Sequence, residues 1–416
     1  MAAPPPPGAG TAGSPTASPT ASVPPGSTSW WHEGSGAVAD LGVLVPIAIA
    51  LIVSNGLSAT AVLLPAGLLY LTVAWAYRAP VAVQPLKAFG AVAIAVGAGP
   101  DVIAAGSLLM GLTFLGLGMT GMLDHLAGAF PRSVIRGVQL AVGLTFARIA
   151  WGLVSHPPAT FSHPWSLPAT AAVCVLLVVG LLRWRRASAL LAVLVGLAVA
   201  AILTRIDGAG ELTLGPTPLA VPSVSMADLL LAGAVLVLPQ VPLTLTNSCL
   251  APADAARRYF PAQAARITPS RLARTLGAAN LGVAAIGGMP VCHGAGGMSA
   301  HHAFGARTWR APALIGTALV AAALLLGADL ARILGAFPLA ILAALLLVAG
   351  ITHIGLLGDL RGRLDWAVAL GVGLLGAGGH LLVAVLGGLV VAAAAARLSP
   401  RRRPQGATPD PQPTRR

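Results

Sequence analysis

Apolar runs recur along this chain at nearly regular intervals, separated by short polar connections. They cover residues 38–55, 58–77, 101–123, 133–153, 169–184, 188–204, 227–246, 271–288, 311–328, 332–351, 364–378 and 380–397. Most approach the roughly 20 residues that a helix needs to span a bilayer. Two further segments, 80–98 and 290–306, are apolar but interrupted by Pro or Gly and are expected to be discontinuous helices. The pattern predicts an all-α polytopic membrane protein of about fourteen transmembrane segments.

The connections test that count. Alternating them between two sides collects Arg78, Arg132, Arg136, Arg183, Arg185, Arg186, Arg257, Arg258, Arg266, Arg271, Arg274, Arg307, Arg310, Arg361 and Arg363 on one side. The other side holds only Arg205 and Arg332. Arginine accumulates on the cytoplasmic face of membrane proteins, so both termini are expected in the cytoplasm of a multi-pass protein of the cell membrane.

Composition agrees: 56% of the 416 residues are hydrophobic and only 9% charged, too few charges for a soluble chain of this length. The formal charge of +13 forms no basic stripe interleaved with aromatics, so the bilayer, and not nucleic acid, is the expected partner. Cys174, Cys249 and Cys292 are widely separated and contain no CxxC pair, which argues against a disulfide framework or structural zinc. Residues 1–35 are rich in Pro, Ser, Thr, Ala and Gly and lack a signal-peptide pattern; they read as a disordered cytoplasmic tail, and 398–416 as a second one.

Between the tails the chain runs twice. Residues 36–205 and 227–397 each hold seven segments, with an extracytoplasmic loop at 206–226 between them, and in each half a pair of helices leads into a broken one. An odd number per half inserts the second copy upside down, which places a binding site where the broken helices meet near the midplane. The breaks read RAPVAVQPLKAFG at 78–90 and GGMPVCHGAGGMSAHHAFG at 287–305. Gly and Pro at membrane depth leave backbone groups unpaired, which is tolerable beside a cavity. A half-helix starting there aims the positive end of its dipole and its free N–H groups into that cavity, the arrangement of an anion site.

Several side chains sharpen this reading. Lys87 is the only lysine; every other basic side chain is arginine. A lone compact cation one turn inside a broken helix suits a bound anion, though a lysine there could also snorkel to the interface. Cys292 and His293 mark the second break, with His293 a hydrogen-bond donor or proton carrier. His301 and His302 approach the Arg307 end and are expected at the interface. Gln240, Thr244 and Asn247 recur at i, i+4 and i+7 in PQVPLTLTNS and so share one helix face, as cavity lining or interhelical glue. All twelve acidic residues fall near segment ends, in loops or in tails, which disfavours a relay of intramembrane carboxylates.

PVAVQPLKAF, PRSVIRGVQLAVGL at 131–144, LPQVPLTLTNS at 238–248 and GGMPVCHGAGGMSAHHAFGART resemble the molybdate transporter family of the sulfate permease group. The resemblance spans most of 36–397 and implies the fold shared with uracil permeases: a seven-plus-seven inverted repeat with a core domain moving against a gate domain. It implies an oxyanion between the third and tenth segments, entered here through Val81–Lys87 and Pro290–Ser299. By motif, the substrate-binding positions are Gln84, Pro85, Lys87, Cys292, His293, Gly294, Gly296, Gly297 and Ser299, with Gln240, Thr244 and Asn247 on the eighth segment. Many sulfate permeases carry a cytoplasmic STAS domain, and none is expected here. Uracil permeases place carboxylates in the eighth and tenth segments, and this sequence has none there.

The resemblance thus implies a secondary transporter, not an enzyme, that takes up molybdate by alternating access with no cofactor. A coupling proton or other ion and a homodimer are its implied partners. A sulfate transporter is the near alternative, since both substrates are tetrahedral dianions. An intramembrane metalloenzyme built on Cys292, His293 and His301 is the distant one, without a standard ligand spacing or a nearby carboxylate.

Overall fold

The computed structural model describes residues 29–38, 41–123, 131–183, 188–206 and 213–398. The expected tails therefore lie outside the described residues, except for Leu398, the last residue of the final helix, and 29–35. There the boundary moves: helix α1, Trp30–Val38, begins inside the segment expected to be a disordered tail. The cause is Glu33, a buried carboxylate whose Oε1 accepts the backbone N–H groups of Arg307 and Thr308, each at 3.1 Å. Trp30 adds a face on which the Arg310 guanidinium sits 4.7 Å from the ring centre.

In the first half, α1 is followed by α2 (Leu41–Val53), α3 (Ala59–Tyr77), strand β1 (Gln84–Pro85), α4 (Lys87–Val96), α5 (Pro100–Thr120), α6 (Arg132–Ser155), α7 (Leu167–Arg183) and α8 (Ser188–Ile206). The second half holds α9 (Met226–Tyr259), α10 (Pro269–Ala285), β2 (Val291–Cys292), α11 (Ala295–Ala303), α12 (Arg310–Leu325), α13 (Gly327–Gly335), α14 (Leu339–Gly355), α15 (Arg363–Leu375) and α16 (Leu381–Leu398). Local chemistry sets many of the ends. Ser58 accepts the Ala61 N–H to cap α3, Pro100 occupies the first turn of α5, and Gly97 and Gly121 close α4 and α5 in the left-handed conformation.

Among the described residues, five helices are long and apolar enough to cross a bilayer by length and composition alone, α3, α5, α6, α9 and α14 with the turn that follows it, or six if the bent pair α12 and α13 is one span. Their outward side chains, such as Trp75, Leu112, Met119, Trp151 and Leu238, are exposed as on a lipid-facing surface. The chain is a multi-pass membrane protein. One expected span shifts. The apolar run at 332–351 does not begin a span at Arg332; α13 turns 95° from α12, and the long helix starts at Leu339. Pro338 sets that start, because the residue before a proline is pushed out of helical geometry. Asp329 ties α13 to the preceding loop by accepting the Thr213 N–H at 2.6 Å, and pairs with Arg332 on the same helix at 3.0 Å.

Small residues govern the helix contacts. Gly67 of α3 meets Gly316 of α12, Gly277 of α10 sits against Leu115 of α5, and Gly143 of α6 meets Gly350 of α14. Without side chains at these points the backbones approach closely, and packing replaces the hydrophobic drive that lipid does not supply. The partners also correspond between halves: α3 packs on α12 as α10 packs on α5, and α6 packs on α15 as α14 packs on α7.

Helix α9 departs from the straight helix expected over 227–246. It contains two π turns, Gly233–Val237 and Leu245–Leu250. Pro239, Pro242 and Pro252 each remove a backbone donor from the i→i−4 ladder, and wide turns beside them absorb the mismatch.

Candidate functional site

The two interrupted segments meet. Both adopt a strand followed by a helix, and the strands pair antiparallel with Gln84 opposite Cys292 and Pro85 opposite Val291. Strands were not expected from the sequence, which pointed only to broken helices. The pair is too short to stand alone and Pro85 has no N–H to give, so other groups complete it. Leu86 N–H donates to the Pro290 carbonyl at 3.0 Å, and the Cys292 thiol donates to the Pro85 carbonyl at 3.5 Å.

Asn280 of α10 supplies the main clamp. Its carboxamide accepts the Val291 N–H at 2.9 Å and donates to the Val291 carbonyl at 2.8 Å, so one side chain satisfies both backbone groups of a strand residue. Sequence reading passed over this residue. The signal was present, because a lone Asn inside an apolar helix must find partners.

Each strand delivers a half-helix. Helix α4 starts at Lys87 and α11 at Ala295, and in neither does the capping residue close the helix with its own side chain. Gln240 of α9 reaches across to α4, where its Oε1 accepts the Phe89 N–H at 2.8 Å and its Nε2 donates to Thr244 Oγ1 at 2.8 Å. In α11 the Ala295, Gly296 and Gly297 N–H groups have no partner among the described residues; the first backbone bond comes from Met298 to the Gly294 carbonyl. Gly296 is exposed, with open space beside its Cα. Ser299 is half-buried one turn further on.

Lys87 bridges the two starts. Its side chain is buried, at 5% exposure, and Nζ donates to Gln84 Oε1 at 2.5 Å. Gln84 Oε1 in turn lies against Gly294 so closely that a Cβ there would collide with it. Gln84 thereby links the ammonium to Gly294, the residue that precedes α11. No carboxylate pairs with Lys87 among the described residues. A buried ammonium with only a neutral amide oxygen is costly, and the unpaired N–H groups of α11 add partial positive charge of the same sign. The arrangement is electrostatically incomplete without an anion.

His293 is turned toward the protein. Its Nε2 lies 2.8 Å from Thr275 Oγ1 and its Nδ1 lies 3.4 Å from the Ala82 carbonyl. A carbonyl can only accept, which assigns the proton to Nδ1 and leaves Nε2 accepting from Thr275. Thr275 is itself 2.8 Å from the Tyr77 hydroxyl, which also lies 3.0 Å from the Arg271 carbonyl. The imidazole therefore fixes the approach to α11. Tyr77 and Thr275 were not singled out from the sequence.

The remaining expected positions separate. Gln84, Pro85, Lys87, Cys292, His293, Gly294, Gly296 and Gly297 gather at the strand pair, and Gln240 with Thr244 joins them from α9. Asn247 falls within the second π turn, whose period is wider than that of the regular helix from which its i+7 position was read. It is half-buried and makes no hydrogen bond among the described residues. His301, expected at the interface, is instead buried, with Nδ1 2.8 Å from the Gly36 carbonyl of α1. His302 stacks on Tyr259 with ring centres 4.5 Å apart. Cys292, His293 and His301 thus face three different protein partners, and no group of three potential metal ligands converges among the described residues.

Comparison with known proteins follows the same lines. A family model described as "Molybdate transporter of MFS superfamily" matches residues 32–146 and 232–352, the stretches that hold both breaks and most of α9. Molybdate transporter 1 of Arabidopsis thaliana is 31% identical over 362 residues, 77% of this chain and 78% of that protein. Among solved structures, the transmembrane domain of the cyanobacterium bicarbonate transporter BicA aligns over 87% of this chain and 97% of its own, with a TM-score of 0.58 and 18% identity. The murine solute carrier 26 family member A9 anion transporter, in its inward-facing state, aligns over 88% of this chain and 68% of its own, with a TM-score of 0.64 and 15% identity. The structural likeness covers nearly the whole chain, so it decides the fold.

Proposed function

The chain belongs to the molybdate transporter family, and on that premise we propose that it is a secondary active transporter taking up a tetrahedral oxyanion, molybdate foremost, by alternating access. It is a membrane anion transporter and not an enzyme; the substrate and the mode of access are our reading. One observation carries it: the Lys87 ammonium is buried on Gln84, which lies against Gly294 at the start of α11, with no carboxylate to neutralise it among the described residues. A dianion supplies the missing charge and accepts from donors already in place, so little has to be reorganised on binding.

In this reading the anion rests against the first turn of α11, held by the Ala295, Gly296 and Gly297 N–H groups, Lys87 Nζ and the Ser299 hydroxyl. Gln84 holds Lys87, Gln240 and Thr244 order the start of α4, and Cys292, Pro85 and Gly294 hold the strand pair together. His293 positions the site, and could move a proton only by giving up Thr275 or Ala82. The correspondence of helix partners between halves supports a seven-plus-seven inverted repeat of fourteen spans, residues 36–205 and 227–397, joined by an extracytoplasmic loop at 206–226. Arginine asymmetry supports cytoplasmic termini and residence in the cell membrane.

Energetics constrain the cycle. Bringing a dianion inward against an interior-negative potential of about 100 mV costs about 4.6 kcal/mol, so uphill uptake requires a cotransported cation or an exchanged anion. The deciding experiment is molybdate binding to the purified protein in detergent, with tungstate and sulfate as competitors. Tight binding displaced by tungstate but weakly by sulfate, and lost in Lys87→Gln, supports the reading. Equal competition by sulfate moves the substrate to sulfate, and no oxyanion binding in the wild type overturns the site.

A further inference from the structure

A cavity of about 220 Å³ lies beside the helix bodies described above. Its walls come from the later turns of α4 and the first π turn of α9 on one side, and from α6 and the Gly376–His380 turn between α15 and α16 on the other. Most of the lining is apolar. Among the described residues that line it, the charged or titratable side chains are Arg148 and His380, and none is acidic.

Arg148 is out of place by every other rule of this chain. The remaining arginines described sit in loops or near helix ends, whereas Arg148 stands seven residues before the end of α6, about 10 Å along the helix. It is exposed, and it makes neither a hydrogen bond nor an ion pair among the described residues. An arginine at such a depth marks a pathway or a ligand, because an unpaired one facing lipid is expensive. Helix α4 links this cavity to the site: Lys87 opens the helix, and Val92, five residues or about 7.5 Å further along, is in the cavity wall.

We infer that Arg148, with His380 across the cavity, forms a second oxyanion subsite, where the anion rests before it reaches Lys87 and α11. The inference builds on the proposed transport function. The guanidinium presents a planar fork of donors that matches an oxyanion edge, and the acid-free lining leaves it uncompensated until an anion arrives. Its contribution falls on capture: a cationic cavity mouth concentrates a dianion and raises its rate of association, and the gain shrinks as salt screens it. The opposing reading is an arginine that snorkels to the interface and touches no substrate.

The test uses the full chain in proteoliposomes or cells, with molybdate uptake measured at low and high ionic strength. Arg148→Gln is expected to lower kcat/KM about tenfold at low salt, mostly through KM, with the gap narrowing at high salt, while Arg148→Lys retains most of the activity. A second variant guards against misfolding. Arg148→Cys introduces an accessible thiol, since Cys174, Cys249 and Cys292 are all buried. A cationic methanethiosulfonate should restore its uptake, an anionic one should not, and molybdate should slow both reactions. Unchanged kcat/KM in Arg148→Gln, or equal effects of the two reagents, overturns the subsite and leaves the Lys87 site standing. Wild-type protein that takes up no oxyanion instead overturns the function on which the subsite rests.

Discussion

Gly294→Ala isolates the contact that holds Lys87 in place. The backbone at Gly294 has φ −99° and ψ 118°, which alanine adopts without strain. The penalty is therefore steric. An added Cβ collides with Gln84 Oε1 and comes within 2.5 Å of its Cδ. Gln84 is 3% exposed and has no open space to enter. Crowding of this kind costs about 1–3 kcal/mol. If the carboxamide moves away, the bond to the Lys87 ammonium goes too, worth about 1.5–3 kcal/mol. At 1.4 kcal/mol per decade, molybdate affinity should fall about 10- to 100-fold. Gln84→Ala removes the obstacle together with the bond and should cost about tenfold. The double variant should then be no weaker than Gln84→Ala alone, an interaction energy of about −1 to −3 kcal/mol. Calorimetric titration of detergent-purified protein measures all four corners of this cycle, and size-exclusion profiles report folding. Additive losses, or an unchanged Gly294→Ala, would refute the reasoning, because either would mean that Gln84 does not link the ammonium to the start of α11.

Lys87→Met should abolish molybdate binding, a loss of about 3 kcal/mol or more, yet raise the thermal midpoint of the empty protein because an unpaired buried charge is removed; a fall in both quantities would count against an uncompensated cation. Asn280→Leu leaves the N–H and carbonyl of Val291 unpaired and should destabilise the fold by about 2–4 kcal/mol, read as a lower midpoint with binding lost in parallel. Thr275→Val takes the hydrogen-bond donor from His293 Nε2 and should weaken binding several-fold, about 1 kcal/mol, with Thr275→Ser restoring it. Arg136→Ala breaks the Arg136–Asp359 pair between α6 and the end of α14; both partners are part-exposed, so stability should change by less than about 1 kcal/mol and binding not at all.

Much of this architecture was legible because lipid imposes one rule on every segment. A spanning stretch must be apolar and helical, so α3, α5, α6 and α10 follow their hydrophobic runs within a few residues, and the two breaks stand out against them. What the runs could not reveal depends on contacts between distant parts. The strand pair joins residues about 200 positions apart, and two residues per strand leave no periodicity to read. The π turns of α9 come from prolines whose effect on register appears only in three dimensions; Gln240 reaches α4, Thr244 bonds Gln240 within α9, and Asn247 falls inside the second π turn. His293 was recognisable as a site residue, but which way its nitrogens face depends on Thr275 and Ala82, neither of which sequence analysis singled out.

The strand pair also determines what can move. Leu86 to Pro290, Cys292 to Pro85 and the Asn280 clamp tie both half-helices to α10, and Gln240 ties α4 to α9. Separating α4 from α11 would break these buried bonds at once, each costing about 1–3 kcal/mol, more than binding a small anion could readily offset. By contrast, the boundary between α4 with α9 and α6 with the Gly376–His380 turn already contains a cavity, and its turn holds Gly379 at φ 96°, outside helical geometry. Few polar bonds need to break there for the surfaces to slide. Access to the anion should therefore change by movement along that boundary, with the Lys87 site carried as a unit. A disulfide engineered within the strand pair should leave uptake intact, whereas one locking α4 to α6 should stop it.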